Sequence, residues 1–244
     1  MTAKRQELAE MMYHSIQNKF KDLPDGALVY PAHGAGFDVD TNRKGAENLR
    51  TSIAKVPLQL NTNISGLIVD VRDEIEFKKG HLPGSINIMA VSENSKFETW
   101  LGAIVNPEEP FSLVIDKPED MENILERVAK IGYEKQVKLV LTLDETGLVP
   151  SDKLDLTHFK NNPDAYTILD IRNQSEIEEG KFFENALTIP LNDLRASSAK
   201  IPKDKPIIVH CAGGYRSSAG SSIVESVSEN VQVYDLGENI KDFI

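Results

Sequence analysis

The residues best suited to chemistry in this 244-residue chain lie in one loop, His210-Cys211-Ala212-Gly213-Gly214-Tyr215-Arg216-Ser217. Cys211 is the sole cysteine, and a thiolate is a strong nucleophile. The paired glycines let backbone N–H groups curl toward one point, and Arg216 adds a fixed positive charge at the rim. Before the loop, Pro206-Ile207-Ile208-Val209 is a short apolar run that reads as a buried strand. After it, Ser217 to Val224 are small residues leading into an apolar pair, the start of a helix. Strand, glycine loop and helix N-terminus together make an anion cradle with Cys211 at its base. Cys211 is the candidate catalytic residue, and Ala212, Gly213, Gly214, Tyr215, Arg216 and Ser217 are the candidate substrate-binding residues. The alternative is an inert buried thiol, the usual state of a free cysteine. The glycines and the loop arginine weigh for reactivity. His210 faces away from Cys211 by strand alternation and reads as packing, while Tyr215 either lines the entrance or packs.

Other candidates lack what their chemistry needs. His33-Gly34-Ala35-Gly36 misses the third glycine and the lysine of a phosphate loop. Asp38-Val39-Asp40-Thr41-Asn42 begins like a calcium loop, but Arg43 stands where glycine must turn the chain and Leu49 where a bidentate glutamate is required. Asp70, Arg72, Asp170 and Arg172 end apolar strands, where an ion pair tying loops together is expected ahead of catalysis. No metal and no cofactor is expected.

The elements that position the loop emerge from a repeat with a period near one hundred. Leu67-Ile68-Val69-Asp70-Val71-Arg72 matches Thr167-Ile168-Leu169-Asp170-Ile171-Arg172, and Glu76 and Gly80 match Glu176 and Gly180. Continuous apolar strands followed by helix-like stretches predict an α/β fold with parallel sheets covered by helices. Phe111-Ser112-Leu113-Val114-Ile115 corresponds to Ile207-Ile208-Val209-His210-Cys211, so Ile115 occupies the cysteine's place. The next six residues, Asp116-Lys117-Pro118-Glu119-Asp120-Met121, include neither cysteine nor glycine and repel anions. Realignment at Ile124 and Ile223 makes this stretch about three residues shorter. Residues 148–163, marked by Pro150, Ser151, Asn161, Asn162 and Pro163, read as a connector.

The composition is that of an ordinary globular protein, 40% hydrophobic and 27% charged. A net charge of −11 argues against nucleic-acid or anionic-membrane partners. No apolar run approaches membrane-spanning length and no apolar signal core opens the sequence, so a cytoplasmic location is expected. One cysteine excludes an internal disulfide, a zinc-thiolate site and a resolving thiol within the chain.

The Cys211 loop resembles the active-site loop of the rhodanese superfamily, sulfurtransferases that carry sulfur as a cysteine persulfide. Four residues separate Cys211 from Arg216, where the related phosphatase loops place five, and the tighter ring suits a sulfur atom. Ala212 stands where that family often has arginine. The first repeat is similar to the same family through Asp70-x-Arg72, Glu76-Phe77, Gly80-His81 and Gly84-Ser85-Ile86-Asn87. The resemblance implies two tandem rhodanese-like domains, an inactive one at 61–148 and an active one at 160–244. It implies transfer of sulfane sulfur from thiosulfate or a persulfide to an external thiol or cyanide. The alternative is a sulfur carrier or interaction module that does not turn over; a phosphatase is disfavoured by loop length.

Residues 23–36 resemble the last metal-ligand segment of metallo-β-lactamase-fold proteins of the persulfide dioxygenase type. That resemblance implies a truncated domain at 1–60, built as helix, strand and helix. His33 would match one metal ligand there, but its His-x-His-x-Asp-His partners are missing. Such a tail is expected to pack against the first repeat or a partner chain, as in a homodimer through the N-terminal segment.

Overall fold

A computed structural model describes residues 56–60, 64–92, 95–144, 146–228 and 230–243. The expected helix-strand-helix at the N-terminus, His33, the calcium-like turn and a dimer contact there lie outside the described residues.

The first sheet holds five parallel strands: β1 (Leu58–Leu60), β2 (Leu67–Asp70), β3 (Ile86–Asn87), β4 (Phe111–Val114) and β5 (Val137–Thr142), in the order β1-β5-β4-β2-β3. Helices α1 (Glu74–Lys79), α2 (Phe97–Ile104) and α3 (Met121–Ala129) connect them. Then α4 (Leu156–Asn161) precedes a second parallel sheet of β6 (Thr167–Asp170), β7 (Leu187–Thr188), β8 (Ile207–His210) and β9 (Val233–Asp235), ordered β7-β6-β8-β9. Its helices are α5 (Gln174–Glu179), α6 (Leu191–Ser197) and α7 (Tyr215–Val227). The α/β reading with two parallel sheets therefore holds. Both central pairs share one register: Asp70 lies beside Val114 and Asp170 beside His210. Ile115 and Cys211 are thus equivalent, as the repeat predicts.

Two boundaries differ from expectation. β1 pairs with β5, so residues 58–60 belong to the first sheet, not to a preceding tail. The expected connector is also structured at both ends. Val149 bridges His81 antiparallel, and α4 sends Phe159, fully buried, into a cluster with Ile208, Leu236 and Ile240. Helix α4, within the expected connector, thus packs with the second sheet.

The two repeats share one apolar core, running from Val69, Phe97 and Leu113 through Leu169, Val209 and Ile223. Along this seam Asn87 N–H donates to Ser222 Oγ at 2.9 Å, and Ser218 Oγ donates to Asn87 Oδ1. Helix α7 approaches the sheet closely because Gly220 lacks a side chain. A Cβ there would fall 2.5 Å from Ile171 Cδ1.

Candidate active site

Cys211 follows β8 directly, and α7 begins four residues later at Tyr215. The thiol is almost wholly buried, 1% exposed. Gly214, at φ 99°, occupies the left-handed region that favours glycine. That turn aims the Gly214 N–H at Cys211 Sγ, 3.2 Å away. A Cβ on Gly214 would also collide with the chain after β9, 2.8 Å from Glu238 N and 2.9 Å from Gly237 C. Two independent constraints, backbone angle and backbone contact, require glycine here.

Arg216 is held more firmly than a rim charge would be. Its guanidinium makes a bidentate ion pair with Glu176 of α5, 2.6 Å at each oxygen, and lies over the Trp100 ring of α2 at 5.8 Å. The hydrogen bonds to Glu176 hold its pKa above the ordinary value; burial opposes them, and the adjacent Cys211 sulfur adds to them. In turn, the Arg216 hydrogen bond holds the Glu176 carboxyl down at about 2. Glu176 also accepts the Asn173 N–H that opens α5, at 3.0 Å. One carboxylate thus caps a helix and fixes the loop arginine.

The remaining candidates divide. Gly213 is exposed and Ala212 half-buried at the loop's outer turn. Ser217 is fully buried and its hydroxyl donates to Gly214 O at 2.7 Å. That bond ties the hydroxyl to the loop's own backbone. Tyr215 directs its hydroxyl across the seam to Met89 O, 2.9 Å away, so it ties the loop to the first repeat. His210 is buried against Phe182 and Phe183, with burial pushing its pKa down despite Asp170 nearby. It packs as a neutral ring. Asp170 and Arg172 form a buried pair at 2.7 Å, and Arg172 also donates to Gly180 O at 3.0 Å. The pair ties two loops, as does Asp70 with Arg72.

The sequence reading missed Glu176, Trp100 and Met89 as site residues. Only Glu176 left a signal: it recurs in both repeats, although the arginine it serves does not. At the equivalent position of the first repeat, β4 runs into a 3₁₀ turn at Pro118–Asp120 before α3. The shortening falls in the helix, nine residues in α3 against thirteen in α7, so the helical turn that cradles Cys211 has no counterpart. Among the described residues, no group of three or more His, Cys, Asp or Glu side chains could hold a metal ion. No helix among them is long and apolar enough to cross a membrane.

The rhodanese-like domain family matches residues 53–141 and 155–239. A tRNA uridine(34) hydroxylase of Cronobacter sakazakii is 40% identical over 70 residues, 26% of this chain and 20% of that protein. The chain thus spans about a fifth of that relative's length. A rhodanese-related protein of Thermoplasma volcanium is 31% identical, over 33% of this chain and 80% of that one, with a TM-score of 0.30. A 3-mercaptopyruvate sulfotransferase structure from Escherichia coli is 16% identical over 78% of this chain and 96% of that one, with a TM-score of 0.30.

Proposed function

We propose a function from one premise: the chain belongs to the rhodanese-like domain family. On this reading the protein moves sulfane sulfur through Cys211. The Cys211 thiolate attacks the outer sulfur of thiosulfate or a small persulfide. The donor's S–S bond breaks, and sulfite or a thiolate leaves with the bonding pair. The persulfide left on Cys211 is stabilised by the Gly214 N–H and the Arg216 charge. An external thiolate or cyanide then takes the outer sulfur and returns the Cys211 thiolate. The acceptor must be external because the chain has no second cysteine. A cytoplasmic setting, where thiols stay reduced, suits a lone reactive cysteine.

The observation that carries this reading is the Gly214 N–H directed at Cys211 Sγ at 3.2 Å from the loop that opens α7. Intact mass after exposure to thiosulfate tests it. One added sulfur is expected on the native chain and none on Cys211→Ser, which keeps the volume but forms no persulfide. Thiosulfate–cyanide turnover that survives Cys211→Ser overturns the proposal.

One observation favours the second reading, a sulfur carrier that loads but turns over slowly. The thiol is sealed and its arginine is already neutralised by Glu176. A burst of loading without steady turnover supports the carrier.

A further inference from the structure

The first repeat carries no cysteine, yet one of its side chains reaches toward the cradle of the second. Lys78 of α1 meets Asp235 Oδ2 at the end of β9, 2.7 Å away, and also pairs with Glu74. The Asp235 side chain is only 4% exposed. Among the described residues, its Oδ2 is sealed from water with no donor beyond the Lys78 ammonium. Its other oxygen, Oδ1, accepts the Gly237 N–H at 2.8 Å and so shapes the turn after β9. Gly237 there has φ 55°, again in the left-handed region. That turn is the backbone pressed against Gly214, whose N–H points at Cys211 Sγ.

The contacts form a short chain of cause: Lys78 neutralises Asp235, Asp235 fixes residues 237–238, and these hold Gly214 against the sulfur. Leu236 is anchored separately, fully buried with its N–H on Val209 O at 3.0 Å. The freedom Asp235 removes is therefore confined to the residues that touch Gly214. Burial alone would pull the Lys78 pKa down, but Asp235 and Glu74 more than offset it, so the ammonium stays charged. The equivalent position in the second repeat is Glu178, which is acidic and hydrogen-bonds Gln174 on its own helix. A cation here is thus peculiar to the repeat that faces the active loop.

We propose that Lys78 is a positioning residue for the reaction at Cys211: through Asp235 and the 237–238 turn, the cysteine-less repeat sets the direction of the Gly214 N–H. The inference rests on the sulfur-transfer reading for its chemistry but not for its geometry. Without Lys78, the buried Asp235 carboxylate is left uncompensated, which favours protonating it or opening the turn to water, and either change weakens its hold on the Gly237 N–H.

The test uses the full chain and two readouts. The first is the rate of sulfur loading from thiosulfate, followed by rapid-quench intact mass. The second is the rate of Cys211 alkylation by iodoacetamide, which needs no sulfur chemistry. In Lys78→Met both rates are expected to fall by about tenfold, with the KM for thiosulfate little changed because Arg216 is untouched. Lys78→Arg restores the pair and is expected within about threefold of the native rates. The double variant Lys78→Met with Asp235→Asn is expected to recover to within about threefold, since Asn still accepts from Gly237 and leaves no buried charge. Native rates in a folded Lys78→Met protein overturn the proposal, as does an equal loss in the single and double variants. Should Lys78→Met fail to fold, Lys78→Gln carries the same comparison. If the native chain takes up no sulfur, the functional reading fails, and the alkylation rates still decide the role of Lys78.

Discussion

The two repeats are built on one plan up to the end of their central strands and differ at the next residue. Arg72 meets Asp70 at 2.7 Å and Gly80 O at 2.9 Å; Arg172 meets Asp170 at 2.7 Å and Gly180 O at 3.0 Å. The flanking registers agree residue for residue. Beyond that point the first repeat has Ile115, an acidic stretch and a 3₁₀ turn, and the second has Cys211, two glycines and a helix. Since the first repeat keeps the Asp-x-Arg pair without any nucleophile, the pair belongs to the scaffold. Glu76 and Glu176 show the complementary case. Lacking an arginine to hold, Glu76 turns to Lys79 at 2.6 Å, whereas Glu176 grips Arg216. A position can be shared by both repeats and serve the site in only one.

The comparison breaks most sharply if a cysteine alone revives the first repeat. In a Cys211→Ser protein, Ile115→Cys supplies a thiol at the equivalent strand end. It brings no cradle, because Pro118 lacks an N–H and Asp116 and Asp120 line the adjacent cleft. Thiosulfate–cyanide turnover is expected to stay at least ~100-fold below the native rate, and recovery to within about tenfold, ~1.4 kcal/mol of barrier, would show the loop to be dispensable.

Next in size is the effect of breaking either buried pair. Asp70→Asn and Asp170→Asn each leave a buried arginine uncompensated and are expected to cost about 3 kcal/mol in denaturant unfolding. Similar losses confirm a shared structural role. An Asp170→Asn protein of native stability and no activity would instead make that pair part of the chemistry.

The smallest effect sharpens the role of Glu176. Glu176→Gln releases part of the Arg216 charge, and the KM for thiosulfate is expected to fall on the order of threefold. The same variant has a signature in acid. The Glu176 carboxyl is held at about 2, below its ordinary 4.5, so its ion pair stabilises the fold above pH 4.5 and is lost as pH falls toward 2. Native and Glu176→Gln proteins should therefore differ in stability at about pH 6 and converge near pH 2.

The central strands were legible because parallel strands buried on both faces read as continuous apolar runs, and Asp70 and Asp170 marked their ends. The Cys211 loop was legible because its glycines, arginine and cysteine are neighbours in sequence. Glu176 and Arg216 lie 40 residues apart, and Tyr215 and Met89 lie 126 apart, separations at which no local pattern survives. Helix α4 was hidden because its six residues bury a single side chain, Phe159, too little for a periodic signal. β1 escaped because three exposed residues at a sheet edge carry no alternation. The bond from Ser217 to Gly214 O was not legible either, because a hydroxyl beside a cradle can serve the loop's own carbonyl as readily as a ligand.

The seam at Asn87 has a consequence for how the molecule comes apart. Its backbone and side chain both engage buried serines of α7, and the apolar core runs through the seam without a break. Detaching either repeat would strand polar groups in a dry interface and expose the packed face of α7, a penalty neither half can relieve alone. The two repeats are therefore expected to unfold together, in a single transition rather than two, when denaturant unfolding is followed by probes in each. A duplication that is plain in the sequence is then expected to leave no second step in the unfolding curve.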